Sequence, residues 1–223
     1  MNIIMKTGKE ISPDALSEHI ANIDAMQEYL SCRIYNKDDT RHLADIIARK
    51  QIEDTDLVMC FSLDFENASV LITDSILKMW HMTVQDLFCC WLTVSELKNP
   101  TYEIMPMSSA LSELCADSEE VFIGNTPLIV LTNKRRYLGA GEVMNPHVRQ
   151  KLLKMFPDGV WILPSSTHEV LVKSILPDDD IDYLLQMVRE INATEVAPED
   201  RLSNNIYQMY TVDRLIQIGE MPL

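Results

Sequence analysis

Ser165, Ser166, His168 and Glu169 fall within five consecutive positions of the segment WILPSSTHEVLV, between two apolar runs. A hydroxyl, an imidazole and a carboxylate are the groups a hydrolase assembles: a nucleophile, a base that takes its proton, and an acid that orients the base. In extended backbone, side chains two positions apart share a face, which puts Ser166 and His168 on one side. The flanking residues argue against this use. A serine nucleophile of this kind sits on a sharp elbow of the form G-x-S-x-G. Here Pro164 precedes the serines and no glycine flanks them. Serine and threonine hydroxyls at a chain reversal satisfy backbone groups without doing chemistry. The preferred reading is a joint between two strands. A hydrolase using Ser165 or Ser166 with His168 is the alternative.

Two charged clusters follow. In TNKRRYLGAGE, the cations Lys134, Arg135 and Arg136 precede Gly139 and Gly141. A phosphate-binding loop places its glycines before the lysine, so a solvated turn is expected, whose arginines could grip an acidic partner. In PDDDID, the carboxylates Asp178, Asp179, Asp180 and Asp182 lack the ligand spacing of a calcium loop. Acids at the start of a helix are favoured by its dipole, and these four could also meet a basic partner. Asn192, Glu195 and Glu199 read as a polar helix exit. The five cysteines show no CxxC spacing, and no Cys/His pair has the spacing of zinc ligands. Neither a metal nor a cofactor is expected, and reduced thiols suit a cytoplasmic protein.

Several elements must position these clusters. Residues 12–30 predict a helix capped by Ser12, with Pro13 in its first turn and a stripe through Leu16, Ile20, Ile23, Met26 and Leu30. Residues 38–52 predict a second helix. DLVMCFSLDF and ASVLITD read as paired strands joined at Glu66-Asn67. Helices follow, one capped by Thr73 or Asp74 and one by Thr83 with Asp86 three residues on. The apolar content of the latter (Leu87, Phe88, Trp91, Leu92) predicts burial on more than one face. A short helix after YEIMPM ends in acids that oppose the dipole, so fraying is expected there.

The second half predicts a strand at PLIVLTN, a turn and return through the glycines, and a helix from Asn145-Pro146. Strands at VWILPSS and HEVLVKSIL and a helix after Pro177 come next. NNIYQMYTVDRLIQI reads as one strand, or as a hairpin broken near Val212-Asp213. Strands occur in pairs and helices do not alternate steadily with them. The expected fold is α+β: a mostly antiparallel sheet with N-terminal helices and further helices packed on it. A helix-rich part over 1–120 and an antiparallel α+β part over 121–223 are expected to pack as a single domain.

The chain carries a formal net charge of −15. That sign repels nucleic acid and acidic membranes, so neither is an expected direct partner. No apolar run approaches the roughly 20 residues of a membrane helix. The charge is uneven: Lys134, Arg135, Arg136, Arg149, Lys151 and Lys154 face only Glu142 over residues 134–154, while the tail from Val160 is acidic.

Five motifs occur in order: ITDSILKMWHMTVQDLF, YEIMPM, IVLTNKRRYLGAGEV, WILPSSTHEVLV and MVREINATEVAPEDRLSNNIY. Together they resemble a bacterial family of uncharacterised proteins carrying a domain of unknown function, over roughly residues 55–212. Members are common in gut anaerobes and near mobile elements. The glycine motif departs from the family pattern of Gly-Ala-Ala followed by Tyr-Pro-Gly. The resemblance implies a bacterial or phage-borne intracellular protein and no particular reaction. The leading expectation is a cytoplasmic protein that binds another protein, including the case of an acidic inhibitor of a nucleic-acid-binding defence protein. A dimeric structural module is a further alternative.

Overall fold

The computed structural model describes residues 3–5, 8–39, 43–44, 47–97, 101–112, 122–123, 125–164 and 166–219. Strands β1 (Ile3–Ile4) and β2 (Glu10–Ile11) pair in a short ribbon. Helix α1 (Pro13–Ile20) starts at Ser12, whose hydroxyl accepts from the Ala15 N–H. The predicted helix does not run on to Leu30. The indole Nε1–H of Trp80 takes the Ile20 carbonyl at 2.6 Å, and Asn22 turns extended to cap a separate helix, α2 (Ile23–Met26). A single 3₁₀ turn leads into β3 (Leu30–Asn36), a strand the helical periodicity conceals.

The helix predicted over 38–52 is also absent among the described residues. Arg49–Gln51 forms β4, and the Ala48 N–H donates to the Ile72 carbonyl, so pairing with the next hairpin overrides local helix propensity. That hairpin, β5 (Leu57–Asp64) and β6 (Ser69–Leu71), matches its expectation. Strand β5 lies between β3 on one edge and β4 and β6 on the other, all antiparallel.

Helix α3 (Asp74–Trp80) is capped by Thr73. Helix α4 (Val84–Leu97) opens with a reciprocal box: the Thr83 hydroxyl accepts from the Asp86 N–H, and Asp86 accepts from the Thr83 N–H. Among its described side chains, full burial is confined to one stripe, Leu87, Trp91 and Ser95, while Phe88 and Leu92 are half-buried. The expectation of burial on several faces is corrected accordingly.

The second sheet begins with β7 (Tyr102–Pro106), followed by α5 (Met107–Ser112) and the short strands β8 (Phe122–Ile123) and β9 (Thr126–Pro127). The acidic end expected to fray lies outside the described residues. Then come β10 (Ile129–Asn133), a 3₁₀ helix (Ala140–Met144), α6 (Pro146–Met155), β11 (Val160–Leu163), β12 (Glu169–Ser174), α7 (Ile181–Thr194), β13 (Ile206–Met209) and β14 (Ile216–Ile218). Six strands pair antiparallel in the order β14-β13-β11-β12-β10-β7. The fold is α+β, as its paired strand pattern indicated.

Both faces of the six-stranded sheet are covered, as the alternation along β11 requires. Trp161 and Leu163 point to α7 and pack with Leu184 and Val188. Val160 and Ile162 point the other way, into a core shared with Ala140, Val143 and Leu152 and with Ile34 and Leu57 of the first sheet. The 3₁₀ helix is thus the wedge between the two sheets. The turn and return expected through the glycines takes the form of this 3₁₀ helix. Glycine is required at two positions of the wedge: a Cβ on Gly141 would run into the Cys32 carbonyl, and one on Gly139 into the Asn133 N–H, the Thr132 hydroxyl and the His168 carbonyl.

Candidate functional site

The SSTHE segment connects β11 to β12, and Ser165 lies outside the described residues. Ser166 is buried. Its hydroxyl donates to Glu169 Oε1 at 2.9 Å and accepts from the His168 N–H at 3.0 Å. The contact between Ser166 and His168 therefore runs through the histidine backbone. The imidazole Nδ1 accepts from the Leu138 N–H at 3.0 Å, and Nε2 lies 3.3 Å from Asp200 Oδ1. Tyr137 stacks on the ring at 5.0 Å. The His168 carbonyl takes the Thr132 hydroxyl at 2.7 Å and the Gly139 N–H at 2.9 Å. In this arrangement the cluster ties the β11–β12 connection to the glycine wedge.

The cations Lys134, Arg135 and Arg136 lie exposed on the turn after β10. Arg136 Nε reaches Glu103 at 3.2 Å, and an Arg135 terminal nitrogen stands 3.8 Å from Asp64. Asp64 in turn accepts from buried Arg33 at 2.7 Å and from the hydroxyls of Ser62 and Ser69. Burial alone would raise its pKa, but the Arg33 guanidinium and the serine donors hold it below the usual range.

The four aspartates before and within α7 separate by role. Asp179 binds the buried Lys173 ammonium, the Trp161 indole N–H at 2.7 Å and the Leu176 N–H at 2.8 Å. Asp180 caps α7 by accepting from the Tyr183 N–H. Asp178 and Asp182 are exposed, and next to them Tyr183 is 59% exposed and Ile181 40%.

Residues that the sequence marks only by their charge, or not at all, form the charged interior. Glu142 on the wedge is 5% exposed, and its Oε2 has no hydrogen-bond partner. Burial raises its pKa from 4.5 to about 7, against a smaller opposing effect of a Thr101 hydrogen bond. Arg149 of α6 is 4% exposed, and burial lowers its pKa to about 10. Burial, then Glu142, pushes the Cys32 thiol well above its ordinary value. A second buried centre is Asp56, between the sheets. Its Oδ2 accepts from Asn36, Ser203 and Asn205 at 2.9, 2.7 and 3.1 Å, and its Oδ1 accepts from the Tyr207 hydroxyl. A sequence signal existed for Glu142, as the one acid inside a basic stretch; none marked Asp56.

Among the described residues, no helix is long and apolar enough to cross a membrane. No curated protein and no solved structure matches the chain. A family model matches residues 1–211, extending the similarity through the N-terminal helices and the first sheet. The chain belongs to the family of unknown function DUF5688.

Proposed function

We propose that this protein acts by binding another protein, and that the partner docks at the start of α7. The observation that carries this is the exposure of Tyr183 and Ile181 among Asp178, Asp180 and Asp182. Tyrosine supplies large contact area at low entropic cost and is enriched at interface centres. Carboxylates around it select a basic partner and speed its encounter. A hollow of about 200 Å³ beside Tyr183, lined also by Ile123, Asn125 and Leu176, offers room for a partner side chain. The net charge of −15 favours the same class of partner. A bacterial protein that otherwise grips a nucleic-acid backbone, such as a defence nuclease, has that chemistry. A serine hydrolase has less support, because the Ser166 proton goes to Glu169 and both His168 ring nitrogens are engaged.

The test is affinity capture from a host lysate with the wild-type chain, Tyr183→Ala and the double variant Asp178→Lys/Asp182→Lys. A stoichiometric partner held by the wild type and released by both variants supports the proposal. No stoichiometric partner, or one retained equally by both variants, overturns it.

A further inference from the structure

A cleft of about 250 Å³ opens between β4, α4 and the turn from β13 to β14. Ile52, Met59, Phe88, Met144 and Leu215 give it an apolar wall, and Arg149 lines it as well. The Arg149 guanidinium is held firmly by backbone. Its Nε donates to the Val143 carbonyl at 2.7 Å, and one terminal nitrogen donates to the Val212 carbonyl at 2.9 Å. The other terminal nitrogen meets only the Met144 sulfur, at 3.3 Å. A thioether is a weak acceptor. None of the ion pairs among the described residues involves Arg149. The charge of Asp213, in the same cleft, offsets part of the cost of burying this guanidinium, but no direct ion pair joins the two, and a bound anion would offset the rest.

The neighbours narrow the anion. On the rim, Arg214 is paired with Asp54 at 2.7 Å, and Lys50 donates to the neutral amide oxygen of Gln85 at 2.8 Å. Glu53 and Asp213 also line the cleft, and their charge disfavours a dianion. What fits is a single negative charge attached to an apolar body.

We propose that this cleft binds a small monocarboxylate with an acyl or aryl body, the carboxylate on Arg149 and the body against Phe88 and Met144. The site is separate from the α7 surface, so either can fail without the other. Phenylacetate and hexanoate serve as probes, titrated into the full chain by calorimetry, with phenylacetamide and inorganic phosphate as comparators. Saturable binding of both acids is expected, with the amide and phosphate weaker by roughly tenfold or more, as loss of a charge-assisted bond implies. Arg149→Lys should weaken binding by a similar factor. Because Arg149 also supports the fold, Gln85→Trp provides a second variant: it fills the cleft from an exposed helix position and should abolish binding while the chain still folds cooperatively. Absence of saturable binding by the acids, phosphate binding as tight as theirs, or wild-type affinity in a folded Gln85→Trp variant overturns the proposal.

Discussion

The backbone N–H of Leu138 meets Nδ1 of His168 at 3.0 Å. An accepting Nδ1 places the ring proton on Nε2, toward Asp200. Leu138 has φ 52°, a left-handed conformation that a bulky side chain resists. The histidine thus holds a strained turn. His168→Ala should cost about 1–3 kcal/mol, the penalty of a buried donor left without its acceptor. Urea denaturation of the variant measures this. Assayed with activated esters, wild type and variant should be equally inactive, and a turnover that vanishes with His168 would revive the hydrolase.

Glu142 makes stability depend on pH. Its folded-state pKa is raised to about 7 by burial, against 4.5 as its ordinary value. Below pH 4.5 the folded and unfolded chains are both protonated and there is no penalty. Between 4.5 and 7 the unfolded chain ionises while the folded one keeps its proton, so stability falls as pH rises. Above 7 the loss levels off at about 3 kcal/mol. Glu142→Gln should remove that slope, matching wild type near pH 4 and exceeding it near pH 8. Denaturant midpoints across the range check the sign, and a variant less stable at pH 8 would contradict it.

The adjacent aspartates Asp178 and Asp179 should behave differently. Asp179 satisfies the buried Lys173 and the Trp161 indole, so Asp179→Ala leaves both without that carboxylate. A cost of about 3 kcal/mol or more is expected, in the range for breaking a buried ion pair. Asp178 is exposed, and Asp178→Ala should stay within about 0.5 kcal/mol of wild type. Thermal melts of the two variants decide this, and equal melts would deny Asp179 its structural role.

These contrasts mark what a single sequence can show. Caps are local, and Ser12, Thr83 with Asp86, and Asn145 were legible because each acts within three residues of itself, while the sequence left Thr73 and Asp74 as alternatives and the structure selects Thr73. The hairpin of β5 and β6 was legible for the same reason. Strand β3 was not, because no glycine or proline separates it from the helical pattern before it. Nor was β4, whose pairing depends on a strand formed later in the chain. In the DDDID cluster the composition was visible, but the division between Asp179 and its neighbours depends on Lys173 and Trp161, placed by the sheet. The burial of Glu142 and Arg149 likewise exists only once the wedge is driven between two sheets.

Asp56 provides a test of how those sheets are joined. The residue directly precedes β5, yet three of its side-chain donors, Ser203, Asn205 and Tyr207, come from the approach to β13 and from β13 itself. Its own N–H donates to Gln217 on β14 at 2.6 Å. Burial, then the Asp56 charge, raises the Tyr207 pKa well above its ordinary value, so the phenol remains a donor at neutral pH. Tyr207→Phe removes one of several donors and should cost about 1–3 kcal/mol. Asp56→Ala strands all of them and should loosen one sheet from the other. Single-tryptophan reporters distinguish the two effects, because Trp91 packs with Cys32, Met59 and Phe61 of the first sheet and Trp161 in the core beneath α7. In the wild-type background both should report one coincident urea transition. With Asp56→Ala the two transitions should separate. Coincident transitions at a lower midpoint would mean that Asp56 contributes stability without coupling the sheets.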